Sequence, residues 1–196
     1  MIKINFPFLL FISFILILSA CQKDVEDPLN YKLNSFSYVD QNEQRYGLNE
    51  LKGKVWIADF IFTSCETICP PMTANMSKLQ QEIKKKGIKN VEFVSFSVDP
   101  ENDKPDVLKT YINKFNADSS QWHLLTGYTQ KEIESFAMNN FKIIVQKPKS
   151  SDQVIHGTKF FLVDDKGTVK QEYEGVKQVP FEQIINDIKI VQDNAK

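Results

Sequence analysis

The sequence predicts an α/β fold built on a central mixed sheet, and three observations support this prediction. Residues 55–62 form a dense apolar run, which is typical of a strand buried on both faces. Further along the chain, segments with strand character alternate with amphipathic helical segments. A hairpin and a helix then close the chain, so antiparallel strands join an otherwise parallel sheet.

The elements follow in chain order from a short N-terminal β-hairpin, which residues 36–39 and 44–46 form around a polar stretch. After the strand at 55–62, prolines at 70–71 open a helix, because the first turn needs no backbone donor. Gly87 ends that helix, and its buried face carries apolar residues at helical spacing: Met72, Met76, Leu79 and Ile83. The remaining predicted elements are a strand at 91–98, a helix at 105–115, a strand at 122–126, a helix marked by Ile133, Phe136 and Ala137 before the apolar run 143–145, a hairpin of 159–163 and 168–173 around the turn 165–167, and a last helix with Phe181, Ile184, Ile185, Ile188 and Val191 on one face.

Composition and charge indicate a globular protein and argue against a nucleic-acid-binding function. The chain of 196 residues is 42% hydrophobic, which indicates a globular domain. Its 24 basic and 25 acidic residues give a formal net charge of −1 with no basic block, so a nucleic-acid partner is not expected. Metal or thiol chemistry based on sulfur or imidazole has five candidate residues: Cys21, Cys65, Cys69, His123 and His156.

The first 20 residues are typical of a targeting signal. Lys3 precedes an apolar run at 6–18, which is shorter than the roughly 20 residues of a membrane span and ends in small residues. The residues Leu-Ser-Ala-Cys at 18–21 resemble the lipobox of bacterial lipoproteins, in which the cysteine carries diacylglycerol. We therefore expect a signal peptide at 1–20 and a lipid on Cys21; the alternative is a signal-anchor helix with an incidental cysteine.

The predicted anchor determines the expected domain organisation and location. Residues 21–34 are polar and acidic, which favours a lipidated tether, and residues 35–196 then form one domain with a single core. The protein is expected on the outer face of the bacterial cell membrane, held there by the lipid and not by a basic patch.

Two cysteines between a buried strand and a helix N-terminus carry the strongest chemical signal. At this position backbone N–H groups and the helix dipole favour the thiolate form of Cys65 and Cys69. A helical loop would place their Cα atoms roughly 6 Å apart, which allows either a disulfide or a shared metal. A purely stabilising disulfide is the alternative, but it would close a very small loop and remove little unfolded-state entropy.

His156 is the candidate third ligand. It precedes the strand at 159–163, and a loop that enters a central strand can lie against the cysteine loop. One imidazole and two thiolates suit Cu(I) in trigonal geometry, or Cu(II) with an added ligand. On spacing alone, a lone histidine is more often a surface or packing residue.

Four segments resemble the SCO (SenC) family of cytochrome c oxidase assembly proteins, in particular its lipid-anchored members from Gram-positive bacteria. They are residues 60–73, 96–105, 124–127 and 156–164, and the similarity covers nearly all of 35–192. The resemblance implies a thioredoxin-like fold and a metallochaperone that binds one copper through two cysteines and one histidine. It also implies Cys65, Cys69 and His156 as those ligands, and oxidase subunit II, with its CuA site, as the partner. Other copper or thiol-redox proteins are further possible partners.

This chain departs from the family pattern beside its ligands. Many members have proline after the first cysteine and aspartate before the histidine, whereas this chain has Glu66 and Ile155. A carboxylate that could hold the tautomer of His156 is therefore missing at position 155. Gly157 also replaces a bulkier residue, which predicts a looser loop.

Enzymatic alternatives remain open at this point. Cys65 and Cys69 are also the redox pair of a thiol–disulfide oxidoreductase that would reduce the CuA cysteines, with a Cys65–Cys69 disulfide in its oxidised form. The Cys-x₃-Cys spacing, and His156 with Gly157 where thioredoxins place a cis-proline, weigh against a general thioredoxin. A peroxidase would need a Thr-x-x-Cys setting, which residues 62–65 do not give.

Other residues invite functional interpretations that we do not favour. Asp99 and Asp103 flank a proline and are expected to serve as loop and helix-cap residues rather than as an acid/base pair. Met72 and Met76 share a helical stripe with apolar residues, which indicates core packing. His123 lies between apolar strand residues and is expected not to be a ligand.

Overall fold

The computed structural model describes residues 24–195, in which helices pack against a six-stranded mixed sheet. In chain order the elements are β1 (Tyr31–Lys32), β2 (Ser37–Val39), β3 (Arg45–Gly47), α1 (Leu48–Leu51), β4 (Val55–Ile61), α2 (Cys69–Lys85), β5 (Val91–Ser97), α3 (Pro105–Ile112), a 3₁₀ turn (Asn113–Phe115), β6 (Trp122–Leu125), α4 (Gln130–Phe136), a π-helical turn (Ala137–Phe141), β7 (Lys159–Val163), β8 (Thr168–Glu174) and α5 (Phe181–Asn194).

The sheet confirms the predicted α/β class. Its strand order is β1-β8-β7-β4-β5-β6, with β4, β5 and β6 parallel to one another. The closing hairpin of β7 and β8 adds antiparallel strands beside β4, as its sequence predicts. The predicted N-terminal hairpin is also present, because β2 and β3 pair with Tyr38 opposite Tyr46.

The core is built on β4 and β5, whose residues are all buried, as the apolar run at 55–62 predicts. On one face of this pair, Phe60 and Phe96 stack with ring centroids 5.2 Å apart, and Phe141 packs against both. Because side chains alternate along a strand, Asp59 lies on the other face, opposite Ser95 of β5.

Helix α2 begins directly after the cysteine loop and carries the second cysteine at its first position. Prolines occupy its first turn, and Gly87, with φ of +69°, follows its end. Met72 and Met76 are fully buried in the core. Their packing role is therefore as predicted.

The segment expected to be a tether is part of the folded domain where the structure describes it. Val25 and Leu33 are buried, and Tyr31 of β1 pairs with Val169 of β8. Part of the segment 21–34 therefore packs against the sheet, while the domain boundary at residue 35 stays a prediction. The pairing with β1 covers the edge of β8, which would otherwise expose unpaired backbone groups.

The predicted signal peptide at 1–20 and the predicted lipid site Cys21 lie outside the described residues. Within residues 24–195, none of the helices has the length and apolar character needed to cross a bilayer.

Candidate metal centre

Two free cysteines lie at the carboxyl end of β4. Cys65 is in the loop that leaves the strand, and Cys69 is the first residue of α2. The backbone N–H of Cys69 donates a hydrogen bond to Cys65 Sγ at 3.3 Å, so the helix start points at this sulfur. Cys65 keeps 6% of its surface exposed, whereas Cys69 is fully buried. The two thiols are therefore adjacent but differ in access.

His156 reaches the cysteines because of sheet topology. Strand β7 runs antiparallel to β4, so the loop that precedes β7 lies at the carboxyl end of β4. Backbone hydrogen bonds between Gln146 and Ile155 hold this loop against the preceding segment. The Nε2 atom of His156 lies 3.4 Å from Cys69 Sγ, and the ligand atoms of Cys65, Cys69 and His156 all lie within 4.8 Å of one another.

A backbone carbonyl fixes the tautomer of His156. The sequence does not show which group fixes this tautomer, because Ile155 occupies the position where a carboxylate is frequent. The Ile155 side chain is 56% exposed. The Nδ1 atom lies 2.8 Å from the carbonyl oxygen of Gly157, which can only accept a hydrogen bond. Nδ1 therefore carries the proton, and Nε2 presents its lone pair to the cysteines.

The ionisable groups at this site are shifted in different directions. Burial acts to raise the pKa of the Cys65 thiol, but hydrogen bonds from Cys69 and from the backbone of Thr67 and Ile68 outweigh it, so its pKa is lowered. Burial raises the pKa of the Cys69 thiol well above its ordinary value, and the neighbouring Cys65 adds to the effect. Burial also lowers the pKa of His156, which favours the neutral imidazole that a metal requires.

Asp103 anchors the cysteine loop from a distant part of the chain. Its carboxylate accepts hydrogen bonds from the Thr63 hydroxyl at 2.5 Å, from the Thr63 N–H at 3.2 Å and from the Ser97 hydroxyl at 2.6 Å. The predicted helix-cap role is wrong, because α3 has Lys104 at its N-cap position and no side-chain cap. The loop role is correct. Nothing in the sequence indicates the Thr63 contact, which joins residues 40 positions apart.

Asp99 also serves the loop and not the helix. Its carboxylate accepts a hydrogen bond from Lys147 at 2.6 Å and from Asn102 at 2.8 Å. The two aspartates therefore hold separate partners and do not form an acid/base pair.

Of the four candidate ligands within residues 24–195, three lie close together in the structure and the fourth lies elsewhere. Cys65, Cys69 and His156 form the one grouping of His, Cys, Asp or Glu side chains with metal-ligand spacing in this part of the chain. His123 lies on β6 and pairs with Asp40, as expected for a residue that is not a ligand. Sequence reasoning missed Asp59, a buried carboxylate on β4, although a lone acid inside the apolar run 55–62 was a visible signal.

Three comparisons with known proteins agree with this arrangement. The family model described as SCO1/SenC matches residues 26–192. The chain is 50% identical over 175 residues to the SCO1 protein homolog of Bacillus subtilis (strain 168), covering 89% of this chain and 90% of the relative.

Solved structures give the same result. A SCO1/SenC family lipoprotein from Bacillus anthracis str. Ames is 50% identical with a TM-score of 0.83, over 85% of this chain and 98% of that chain. BsSco, described as a member of the Sco family of cytochrome c oxidase assembly proteins with a disulfide switch, is 49% identical with a TM-score of 0.80, over 87% and 98%. The fold is therefore the thioredoxin-like fold that the sequence resemblance implies.

Proposed function

Because this chain belongs to the SCO1/SenC family, we propose that it is a copper-binding assembly factor for the CuA centre of cytochrome c oxidase. Copper is its cargo, and Cys65, Cys69 and His156 are the residues that hold it. One observation carries this proposal: two sulfurs and one imidazole nitrogen from separate parts of the chain lie within 4.8 Å of one another.

The donor set fits copper chemically. Thiolates and an imidazole are ligands that suit Cu(I), and closed structural zinc sites normally use four protein ligands. The grouping contains no carboxylate, which disfavours magnesium and calcium. The Gly157 carbonyl holds the ring so that Nε2 is free to bind the ion.

Access to the site supports a transfer role. His156 is half-buried. Ile68, which precedes Cys69, and Ile155, which precedes His156, have exposed side chains. An acceptor can therefore approach the copper from this side and replace one ligand before another is released. The proposed acceptor is oxidase subunit II, whose CuA site the copper completes.

The proposed location is the outer face of the bacterial membrane, with a lipid on Cys21. A lipobox-like sequence precedes this residue, and the 50% identical B. anthracis structure is described as a lipoprotein. Asp24 pairs with Lys170 near the turn after β7, whereas the metal centre lies at the opposite end of that strand. A lipid on Cys21 would therefore orient the metal centre away from the bilayer.

A second candidate function is thiol–disulfide exchange with the cysteines of oxidase subunit II. The observation that favours it is the closeness of the two cysteines: the backbone N–H of Cys69 donates a hydrogen bond to Cys65 Sγ at 3.3 Å, and the two sulfurs lie within 4.8 Å of each other. BsSco, at 49% identity, is described as having a disulfide switch. The two functions can share one site, because the same thiols must be reduced before they bind copper.

Copper stoichiometry tests the first proposal. The reduced full chain in detergent should bind about one copper ion, since one grouping of two sulfurs and one nitrogen is present. Cys65→Ser and Cys69→Ser should each abolish stoichiometric binding, with His123→Ala as the matched control. Binding that survives either cysteine substitution contradicts the site.

Oxidase activity in cells separates the two functions. In strains that carry Cys65→Ser or His156→Ala, added copper should restore CuA oxidase activity if metal delivery is the missing step. Rescue of the His156→Ala strain alone would instead indicate that thiol exchange is the main contribution of the cysteines.

A further inference from the structure

The loop between β5 and α3 contains two buried acids whose positions are fixed by internal hydrogen bonds. Asp99 and Asp103 are both fully buried. The Ser97 hydroxyl donates a hydrogen bond to Asp103 at 2.6 Å and accepts one from the backbone N–H of Asp99 at 3.1 Å. The side chain of Asn102 donates to the Asp99 carboxylate at 2.8 Å. The two carboxylates therefore lie at fixed places, from which each can hold another part of the chain.

Each acid holds one of the two segments that bring ligands to the metal centre. Asp103 accepts a hydrogen bond from the Thr63 hydroxyl at 2.5 Å and so holds the cysteine loop. Asp99 accepts one from the Lys147 ammonium at 2.6 Å, and Lys147 lies in the segment that leads to His156. The cysteine side and the histidine side of the centre are therefore attached to the same support.

Lys147 is held by its main chain as well as by its side chain. Its backbone N–H donates a hydrogen bond to the Glu134 carboxylate of α4 at 3.1 Å. Its ammonium contacts Glu101 at 3.3 Å in addition to Asp99. The side chain of Lys147 is 17% exposed and that of Asp99 is 0% exposed, so solvent and salt screen this ion pair only weakly. Contacts at both ends therefore confine Lys147.

The backbone beside Lys147 reaches the histidine through one pair of hydrogen-bonded residues. Gln146 and Ile155 exchange two backbone hydrogen bonds, at 3.0 and 2.9 Å. His156 comes directly after Ile155, and its Nδ1 atom lies 2.8 Å from the Gly157 carbonyl oxygen. Because the ring is bonded to its own backbone segment, the place of that backbone decides where Nε2 lies. The contacts of Lys147 therefore bear on the position of this nitrogen.

We propose that Lys147 is a positioning residue for His156, and that it acts through its ion pair with Asp99. The inference rests on the proposed copper function and deepens it. The sulfurs and the nitrogen come from separate segments, so contacts outside the ligands must fix the distance between them. Attachment of both segments to the β5–α3 loop supplies such contacts.

Copper affinity gives the first test. Lys147→Met removes the charge and keeps most of the length of the side chain. In the reduced full chain in detergent, its affinity for Cu(I) should fall by roughly tenfold, the lower end of the range for groups that support a ligand. Lys170→Met is the matched control, because Lys170 is 14% exposed and pairs with Asp24 at 3.3 Å, but lies on β8. It should bind Cu(I) as tightly as the wild-type chain.

Asp99→Asn tests the ion pair from its other side. It removes the negative charge and keeps the shape of the side chain, and it should weaken Cu(I) binding by a factor similar to that of Lys147→Met. Because both substitutions break the same ion pair, the double variant should bind Cu(I) no more weakly than the weaker of the two single variants. Additive losses would contradict action through Asp99.

X-ray absorption of the Cu(I)-loaded chain separates the position of the imidazole from a general loss of stability. The wild-type spectrum should show two sulfur neighbours and one nitrogen neighbour of the copper. In Lys147→Met the nitrogen contribution should weaken towards that of His156→Ala, while the sulfur contribution stays. Lys170→Met should keep both contributions.

Hydrogen exchange of the copper-free chain tests the positioning without the metal. The backbone amides of Gln146 and Ile155 donate the two hydrogen bonds of the bridge. In Lys147→Met these amides should exchange roughly tenfold faster, because the segment opens locally more often, whereas amides of β4 and β5 should keep their rates. Lys170→Met should leave the two bridge amides unchanged.

Several results would overturn the inference. They are wild-type Cu(I) affinity and nitrogen contribution in Lys147→Met, an equal loss of affinity in Lys170→Met, and equally faster exchange across the whole sheet, which would indicate a general loss of stability. A wild-type chain that binds no copper would instead contradict the proposed function. Hydrogen exchange would then still decide whether Lys147 holds the segment of His156.

Discussion

The two histidines of this chain lie in different parts of the fold, His123 on the edge strand β6 and His156 in the loop before the interior strand β7, and their surroundings differ. His156 sits at the carboxyl end of β4, with Nε2 facing a sulfur, Nδ1 facing a carbonyl, and the Phe62 ring edge-on at 5.6 Å. His123 is on β6, with Nδ1 3.1 Å from Asp40 and Nε2 3.9 Å from Glu92.

The difference shows how the surroundings determine what an imidazole can do. The Asp40 carboxylate lies against Nδ1 of His123, and the Tyr46 ring, whose centroid is 3.5 Å from that of His123, further confines it. Around His156 the neighbours are a thiol and a carbonyl, and burial lowers its pKa. His123 is therefore held by its neighbours in a structural role, whereas Nε2 of His156 is available to bind a metal.

The largest expected difference between the two histidines is in copper affinity. Replacing His156 with alanine removes one of the three proposed ligands, so the affinity for Cu(I) should fall by roughly a hundredfold or more. Even the loss of a group that only supports a ligand costs about tenfold to a hundredfold. Competition with a chromogenic Cu(I) chelator measures this effect. His123→Ala should leave the affinity unchanged, and an equal loss in both variants would contradict the comparison.

For the free energy of unfolding, we expect His123→Ala to have a larger effect than His156→Ala. His123→Ala removes the Asp40 contact and the stacking on Tyr46, and it leaves Asp40, which is buried, with one partner fewer. We expect the free energy of unfolding to fall by about 2 kcal/mol, measured by urea denaturation. His156→Ala should cost about 1 kcal/mol or less, because its ring makes no ion pair with any residue between 24 and 195. A larger loss for His156→Ala would break the comparison.

Proton binding by His156 gives a smaller effect with a defined sign. Burial lowers its pKa in the folded chain, so the unfolded chain takes up the proton first as the pH falls below the ordinary value of about 6.5. His156 therefore contributes a loss of stability as the pH falls through this region, and His156→Gln should remove that contribution. NMR titration of the reduced chain should give a midpoint for His156 below that of the denatured chain.

The smallest effect is expected at the second acid beside His123. Glu92 pairs with the partly exposed Lys54 at 2.9 Å and lies 3.9 Å from His123. Glu92→Gln should lower the free energy of unfolding by about 0.5 kcal/mol, and added salt should reduce the difference. A destabilisation larger than that of His123→Ala would show that Glu92, and not Asp40, fixes this end of the sheet.

Much of the fold could be predicted because its signals are local. The buried strand at 55–62, the prolines that open α2 and the turn before β8 each depend on neighbouring residues, and all appear in the structure. The packing of Val25 and Leu33 was missed because it depends on an edge strand more than a hundred residues away.

The amino-acid sequence alone establishes which residues are available for chemistry: two cysteines at the start of a helix, and a histidine before a core strand. Tertiary structure decided which histidine meets the sulfurs, because only the antiparallel placement of β7 beside β4 brings His156 to them. It also decided that the Gly157 carbonyl holds the His156 ring and that Asp103 holds the cysteine loop. Such contacts either join residues that are far apart in the sequence or depend on one particular backbone conformation. Local sequence patterns cannot predict them for this reason.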